Sequence, residues 1–293
     1  MFLVGLVSSM ALSFPSLAQK KPQYEAVGSQ SFGRIGVKYR SDNVFLGRAD
    51  SLPAPYFTSQ FGYYHKSGLF LDVAASYLAT TEERRIDVVT LSGGYDYLGN
   101  ALSVGGSLSG YFFNENSYAV QSTLTGFLNS YLGYDFGVIE LVADGSLALS
   151  TQLDILTGLE LRRTFYFLSD RFTVTPSFLA NAGTQYYYEE YYSTRNSQIT
   201  KGNTFGKKQG KAGGTSSEVV TVQDTKKFRI LDYELSVYAV FKVRQFRLMA
   251  VPSFAIPVNP STVSIDQTVF EEDLKNRFFW SLGVGYVFGF DGQ

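Results

Sequence analysis

Residues 278–290 run Phe278, Phe279, Trp280, Ser281, Leu282, Gly283, Val284, Gly285, Tyr286, Val287, Phe288, Gly289, Phe290. Every second residue from Phe278 is large and apolar: Phe278, Trp280, Leu282, Val284, Tyr286, Phe288 and Phe290. The alternate set, Phe279, Ser281, Gly283, Gly285, Val287 and Gly289, is mostly small. Alternation of period two over this length predicts a β-strand with a different environment on each face. A soluble sandwich would set Lys, Glu and Thr opposite its core; here glycine and serine stand there. Large apolar residues on one face, with aromatics at both ends, fit a transmembrane barrel strand with lipid outside and a lumen inside.

The same alternation recurs upstream. A first strand is expected over Ser31–Arg40, with Ile35, Val37 and Tyr39 outward and Arg34, Lys38 and Arg40 inward. Further strands are expected over Tyr56–Tyr64, Leu69–Ala79 (Asp72 inward), Ile86–Leu98, Leu102–Phe113 and Tyr118–Phe136. Then come Val138–Ser150 (Glu140 and Asp144 inward), Leu153–Leu168 (Asp154, Glu160 and Arg162 inward) and Phe172–Tyr192. Phe228–Arg244 carries Glu234 and Lys242 inward, Phe246–Pro257 carries Arg247, and the quoted stretch completes twelve. Tight turns such as His65–Gly68 and Gly99–Asn100 alternate with longer connections. Short periplasmic turns and longer extracellular loops are the expected asymmetry when both termini are periplasmic. Pro176 and Pro252 interrupt a ladder, since proline donates no hydrogen bond, and bulges would accommodate them.

Phe288 and Phe290 near the C-terminus resemble the closing signal of bacterial outer-membrane β-barrel proteins, whose last strand typically ends in an aromatic read by the barrel-insertion machinery. Asp291, Gly292 and Gln293 run past the usual end. The chain looks like barrels common in Bacteroidota and is distantly similar to MipA/OmpV-type scaffolding barrels. That resemblance implies an outer-membrane, multi-pass location in a Gram-negative envelope, contact with outer-membrane lipid and lipopolysaccharide, and insertion by the barrel machinery.

Met1–Ala18 is an apolar run ending Ser16-Leu17-Ala18, the small-residue spacing of a cleaved signal peptide. Residues 19–30 are then a periplasmic N-terminal segment, 31–293 the barrel, and 194–227 a mobile extracellular loop rich in Gly and Lys. The GKKQGK run in that loop lacks Walker spacing and a following helix pattern, so it reads as loop rather than phosphate site. The tyrosines at 186–192 read as an aromatic girdle at the interface.

Composition narrows the chemistry. A net charge of −1 gives no reason to expect nucleic acid, and zero cysteines leave no disulfide or thiolate metal site. In the outer-membrane enzymes of similar size (phospholipases, lipid A deacylases, omptins) a histidine takes part in catalysis. The one histidine, His65, falls in a predicted turn, so no enzyme, cofactor or metal is expected. Three function classes remain: a narrow porin-like channel for small polar solutes, a non-conducting scaffolding barrel that binds envelope partners, and, least favoured, an enzyme. The inward set Arg34, Lys38, Arg40, Asp72, Glu140, Asp144, Asp154, Glu160, Arg162, Glu234, Lys242 and Arg247 is expected to line the lumen, basic on one wall and acidic on the other.

Overall fold

The computed structural model describes residues 30–290 except 51, 82, 118, 192, 194–219, 223–224 and 266–267. The expected signal peptide and most of the expected mobile loop lie outside the described residues. In chain order the strands are β1 Ser31–Arg40, β2 Tyr56–Tyr64, β3 Leu69–Ala79, β4 Arg84–Leu98, β5 Leu102–Phe113, β6 Gly126–Asp135, β7 Glu140–Leu149 and β8 Leu153–Arg162. They continue with β9 Phe165–Phe167, β10 Phe172–Gly183, β11 Val220–Val222, β12 Arg229–Val243, β13 Phe246–Pro257, β14 Thr262–Ile265, β15 Thr268–Glu271 and β16 Arg277–Phe290.

β1–β8, β10, β12, β13 and β16 pair antiparallel with their neighbours, and β1 pairs with both β2 and β16. The ring closes through β10 on β12, giving a twelve-strand barrel with no free edge, as a sheet must be where lipid cannot satisfy backbone groups. The exterior is apolar: Ile35, Phe61, Leu71, Leu91, Leu108, Leu128, Leu159, Leu235 and Leu282 are all exposed. A predominantly apolar exterior on a closed barrel is a lipid-facing belt, so this is a transmembrane barrel of the outer-membrane type. The aromatic pairs Tyr134–Phe136, Phe172–Phe241, Phe246–Tyr286 and Tyr286–Phe288 cluster toward the rim that carries both chain ends. We call this the turn rim, and the opposite end the loop rim.

Both prolines sit on the lipid face at interruptions in the ladder. β8 breaks at Arg163–Thr164, beside Pro176, and resumes as β9. The β12–β13 register skips Pro252 and Val251, opposite Val237 and Tyr238. A missing N–H donor at each point explains why pairing stops there.

Three expectations need correction. The strand expected over Tyr118–Phe136 is shorter: β6 starts at Gly126, and the described residues 119–125 are a connection in which Val120, Gln121 and Leu124 are buried. The strand ending in the tyrosine run stops at Gly183, and 186–191 is helical. Val220–Val222, within the expected mobile loop, is a strand paired with β14, which pairs with β15.

Those segments fold into the barrel mouth instead of standing above it. Phe45, Leu46, Val120, Leu124, Phe127, Tyr187, Tyr188, Tyr191 and Leu231 form one buried apolar cluster. Phe45 meets Phe127 and Tyr187 edge-on. The apolar core of this protein is therefore a cap inside the loop rim. It is seated by Gly47, whose φ of 74° and close approach to Asp232 and Pro257 leave no place for a Cβ.

Candidate functional site

The functional candidate is the polar lumen beneath the cap. Alternation sends the even residues of β1, the odd residues of β16 and their counterparts on every other barrel strand inward, so one register shift would turn the interior apolar. Three lumen features follow from register.

The first is a buried ion triad. Glu140 lies directly opposite Arg162. Arg162 donates from Nε to Glu140 Oε2 at 2.9 Å and from Nη2 to Oε1 at 3.0 Å, while Nη1 reaches Glu160 Oε2 at 3.1 Å. This is the bidentate geometry that makes arginine–carboxylate pairs strong.

The second is a network on the opposite wall, on β1–β3. The Tyr64 hydroxyl donates to Asp72 at 2.7 Å, Gln60 Nε2 donates to Asp72 at 3.1 Å, and Arg34 donates to the Tyr64 hydroxyl at 2.9 Å. Arg34 also lies 3.8 Å from the Asp72 carboxylate. Farther round, the Tyr131 hydroxyl donates to Asp96 at 3.0 Å.

The third is a recurrent pairing of carboxylate and glycine. Asp72 faces Gly62, Asp96 faces Gly105, and Asp144 faces Gly158 across the strands. In each case a Cβ on the glycine would collide with the carboxylate oxygen. The missing side chain lets each acid lie flat along the wall. Gly105→Ala is expected to displace Asp96 and the Tyr131 ring together and to cost about 1–3 kcal/mol, read as a lower urea midpoint in a lipid refolding titration.

The remaining candidates fall as follows. Lys38 is 5% exposed, yet among the described residues it has no ion pair and no side-chain hydrogen bond. Arg40 donates to the Val44 carbonyl at 3.2 Å and stacks over Phe279, which joins it to the cap. Glu234 and Asp232 stand two apart on the inner face of β12, with Asn181 donating to Asp232 at 2.9 Å. Lys242 and Arg247 face each other across β12 and β13 near the turn rim. Asp144 and Glu160 each keep a buried oxygen without a hydrogen-bond partner among the described residues. Asp154 has a different job: it accepts from the Thr184 hydroxyl and from the Tyr186 and Tyr187 amides at 2.7–2.8 Å. It therefore caps the start of the 186–191 helix and anchors that helix to β8. His65 sits in its turn with Nδ1 2.8 Å from the Ser67 hydroxyl. No group of three His, Asp or Glu among the described residues is placed to hold a metal.

Residues missed from sequence hold the cap shut. Arg48 is buried and donates to Glu272 at 3.0 Å, lies over the Tyr188 ring, and reaches the carbonyls of Leu231 and Asn259. The Tyr188 hydroxyl donates to the same Glu272 carboxylate, and the Tyr191 hydroxyl to Asp50. Burial is the strongest single influence and opposes the Arg48 charge, but Glu272, Tyr187 and Tyr188 together outweigh it and hold the guanidinium above its ordinary pKa. Segments carrying Arg48, Tyr188 and Glu272, far apart in sequence, thus meet at one arginine.

No family model matches the chain, and no curated protein matches it. Among solved structures it is similar to the KdgM porin at 8% identity, over 86% of this chain and 98% of that one, with a TM-score of 0.45. The NanC porin gives 10% identity over 87% and 98%, with a TM-score of 0.46. The COG4313 outer membrane channel from Pseudomonas putida F1 gives 10% identity over 92% and 99%, with a TM-score of 0.45. Similarity at this level bears on neither function nor site. The barrel itself rests on the strand pairing above.

Proposed function

We propose that this barrel is a narrow porin-like channel for small polar solutes, with its turn rim in the periplasm and its capped loop rim outside. The observation that supports this reading is the charged and hydroxyl-lined interior beneath the cap, inside a lipid-belted wall. A protein that needed only a stable barrel could fill that space with apolar side chains at less desolvation cost. The basic groups of β1 stand across from the acidic groups of β7 and β8, and such a transverse field favours polar over apolar solutes. The cap makes opening conditional on the Arg48–Glu272–Tyr188 contact.

Planar-bilayer recording tests this. Wild type is expected to give small, brief openings. Glu272→Ala, which leaves Arg48 buried beside an empty place, is expected to raise the open-to-closed ratio by about 100-fold or more, because breaking a buried pair costs roughly 3–5 kcal/mol. Lys38→Glu is expected to shift reversal potential toward cation selectivity. Absence of current from both wild type and Glu272→Ala would reject the channel.

That outcome would favour the second reading, a scaffolding barrel of the MipA/OmpV kind that binds envelope partners or lipopolysaccharide through its rims. The observation on its side is the apolar packing of the cap.

A further inference from the structure

Two charged groups of the lumen, Lys38 and Asp144, lie outside the networks described above. Lys38 is 5% exposed, Asp144 9% and Glu160 2%. Lys38 has neither ion pair nor side-chain hydrogen bond among the described residues, and Asp144 Oδ1 and Glu160 Oε1 are buried without a partner. Arg162 answers Glu140 and Glu160, which leaves Asp144 as the carboxylate beside them with a buried oxygen unpaired. Buried charges left in this state are costly unless something else answers them.

Strand register shows where these groups stand relative to one another. β1 and β7 are six pairings apart in a ring of twelve, and so lie on opposite walls. A line drawn perpendicular to the strands from Lys38 passes Thr58, Ser76, Val88 and Phe113. Extending the β5–β6 and β6–β7 registers carries the line to about three residues past Leu149. With strands tilted about 45°, each pairing step climbs about 3 Å toward the loop rim and each residue along a strand spans about 2.3 Å of height. Coming back down by that climb takes about eight residues and arrives at Asp144. The same construction on β8 arrives at Glu160. Serines fill much of this level, among them Ser92, Ser109, Ser177 and Ser253, all buried toward the interior.

We infer that this level is a recognition site for a zwitterionic solute, its carboxylate taken by Lys38 and its ammonium by Asp144. Opposing backbones in such a barrel are roughly 24 Å apart. Lysine reaches about 6 Å and aspartate about 3 Å, and a hydrogen bond of about 3 Å at each end leaves a span of about 9 Å between the solute's charges. An extended tripeptide is about that long, at roughly 3.3 Å per residue. The serine hydroxyls offer partners for its peptide groups. A solute with one charge, or with none, leaves one wall unanswered.

The inference deepens the channel reading, but its test does not need the barrel to conduct. Saturation-transfer NMR on the refolded protein in detergent would compare triglycine with N-acetyl-triglycine amide, the neutral analogue, at equal concentration. Triglycine is expected to receive about tenfold more transfer, the weight of one or two charge-assisted hydrogen bonds. Lys38→Met and Asp144→Asn, each alone, are expected to bring triglycine down to the level of the neutral analogue. If Asp144→Asn does not refold, Lys38→Met decides alone. Equal transfer to both probes in wild type, or transfer unchanged in Lys38→Met, overturns the site. Swelling of proteoliposomes in the neutral analogue judges conduction separately: no swelling alongside intact triglycine binding would sink the channel and leave the site standing.

Discussion

Arg162→Met is expected to destabilise the barrel by about 3–5 kcal/mol, the cost of leaving Glu140 and Glu160 facing each other without a cation. Arg162 is 2% exposed, so water cannot replace the lost guanidinium. The size of the effect comes from the stranded acids more than from the lost attraction. Replacing the whole triad with Glu140→Leu, Glu160→Leu and Arg162→Met should therefore recover most of the loss. Urea titrations of the protein refolded into lipid vesicles would read both values. A single substitution that costs less than about 1 kcal/mol would mean that the triad is hydrated and that its apparent burial is misleading.

Leu282→Arg is expected to cost about 2–4 kcal/mol, because a charge on the lipid face near the middle of the bilayer has no partner and no water. Leu282 is 51% exposed on the outside of β16, next to Trp280 and Val284 on the same face. Ser281→Arg, one residue away, points into the lumen and should be far milder. The contrast isolates the face on which a residue lies, since both positions share one strand and one depth. Equal losses in the two variants would show that the register of β16 is wrong, and with it the inward placement of Lys38, which pairs with Gly283.

The barrel was legible in the sequence because period two needs no tertiary information. Phe278 to Phe290 alternates so plainly that the strand and its lipid face can be read together. The turn at His65–Gly68 and the inward carboxylates and guanidinium groups follow from the same count. The cap was not legible by that route, because the period changes there. Tyr187, Tyr188 and Tyr191 are spaced one and then three apart, with Glu189 and Glu190 between them. That is a helical face, and it cannot alternate across a strand. Val120 and Leu124, also buried in the cap, fall in a stretch expected to be strand that is turn and coil instead.

Pairings between side chains were illegible for another reason. Which acid meets Arg162 depends on how β7 slides against β8. The sequence contains Gly62, Gly105 and Gly158, but nothing local marks them as places where a carboxylate lies flat. Arg48 and Glu272 stand 224 positions apart and meet only because the barrel closes.

The central claim, a lipid-facing barrel around a hydrated polar lumen, is tested most directly by cysteine scanning of β16. The chain has no cysteine of its own, so single substitutions can be read without background. A charged, water-soluble maleimide applied to the protein in vesicles should label cysteines at 281, 283 and 285. It should leave those at 280, 282 and 284 unreacted. Labelling of both sets would contradict the lipid belt, and protection of both would contradict a hydrated lumen.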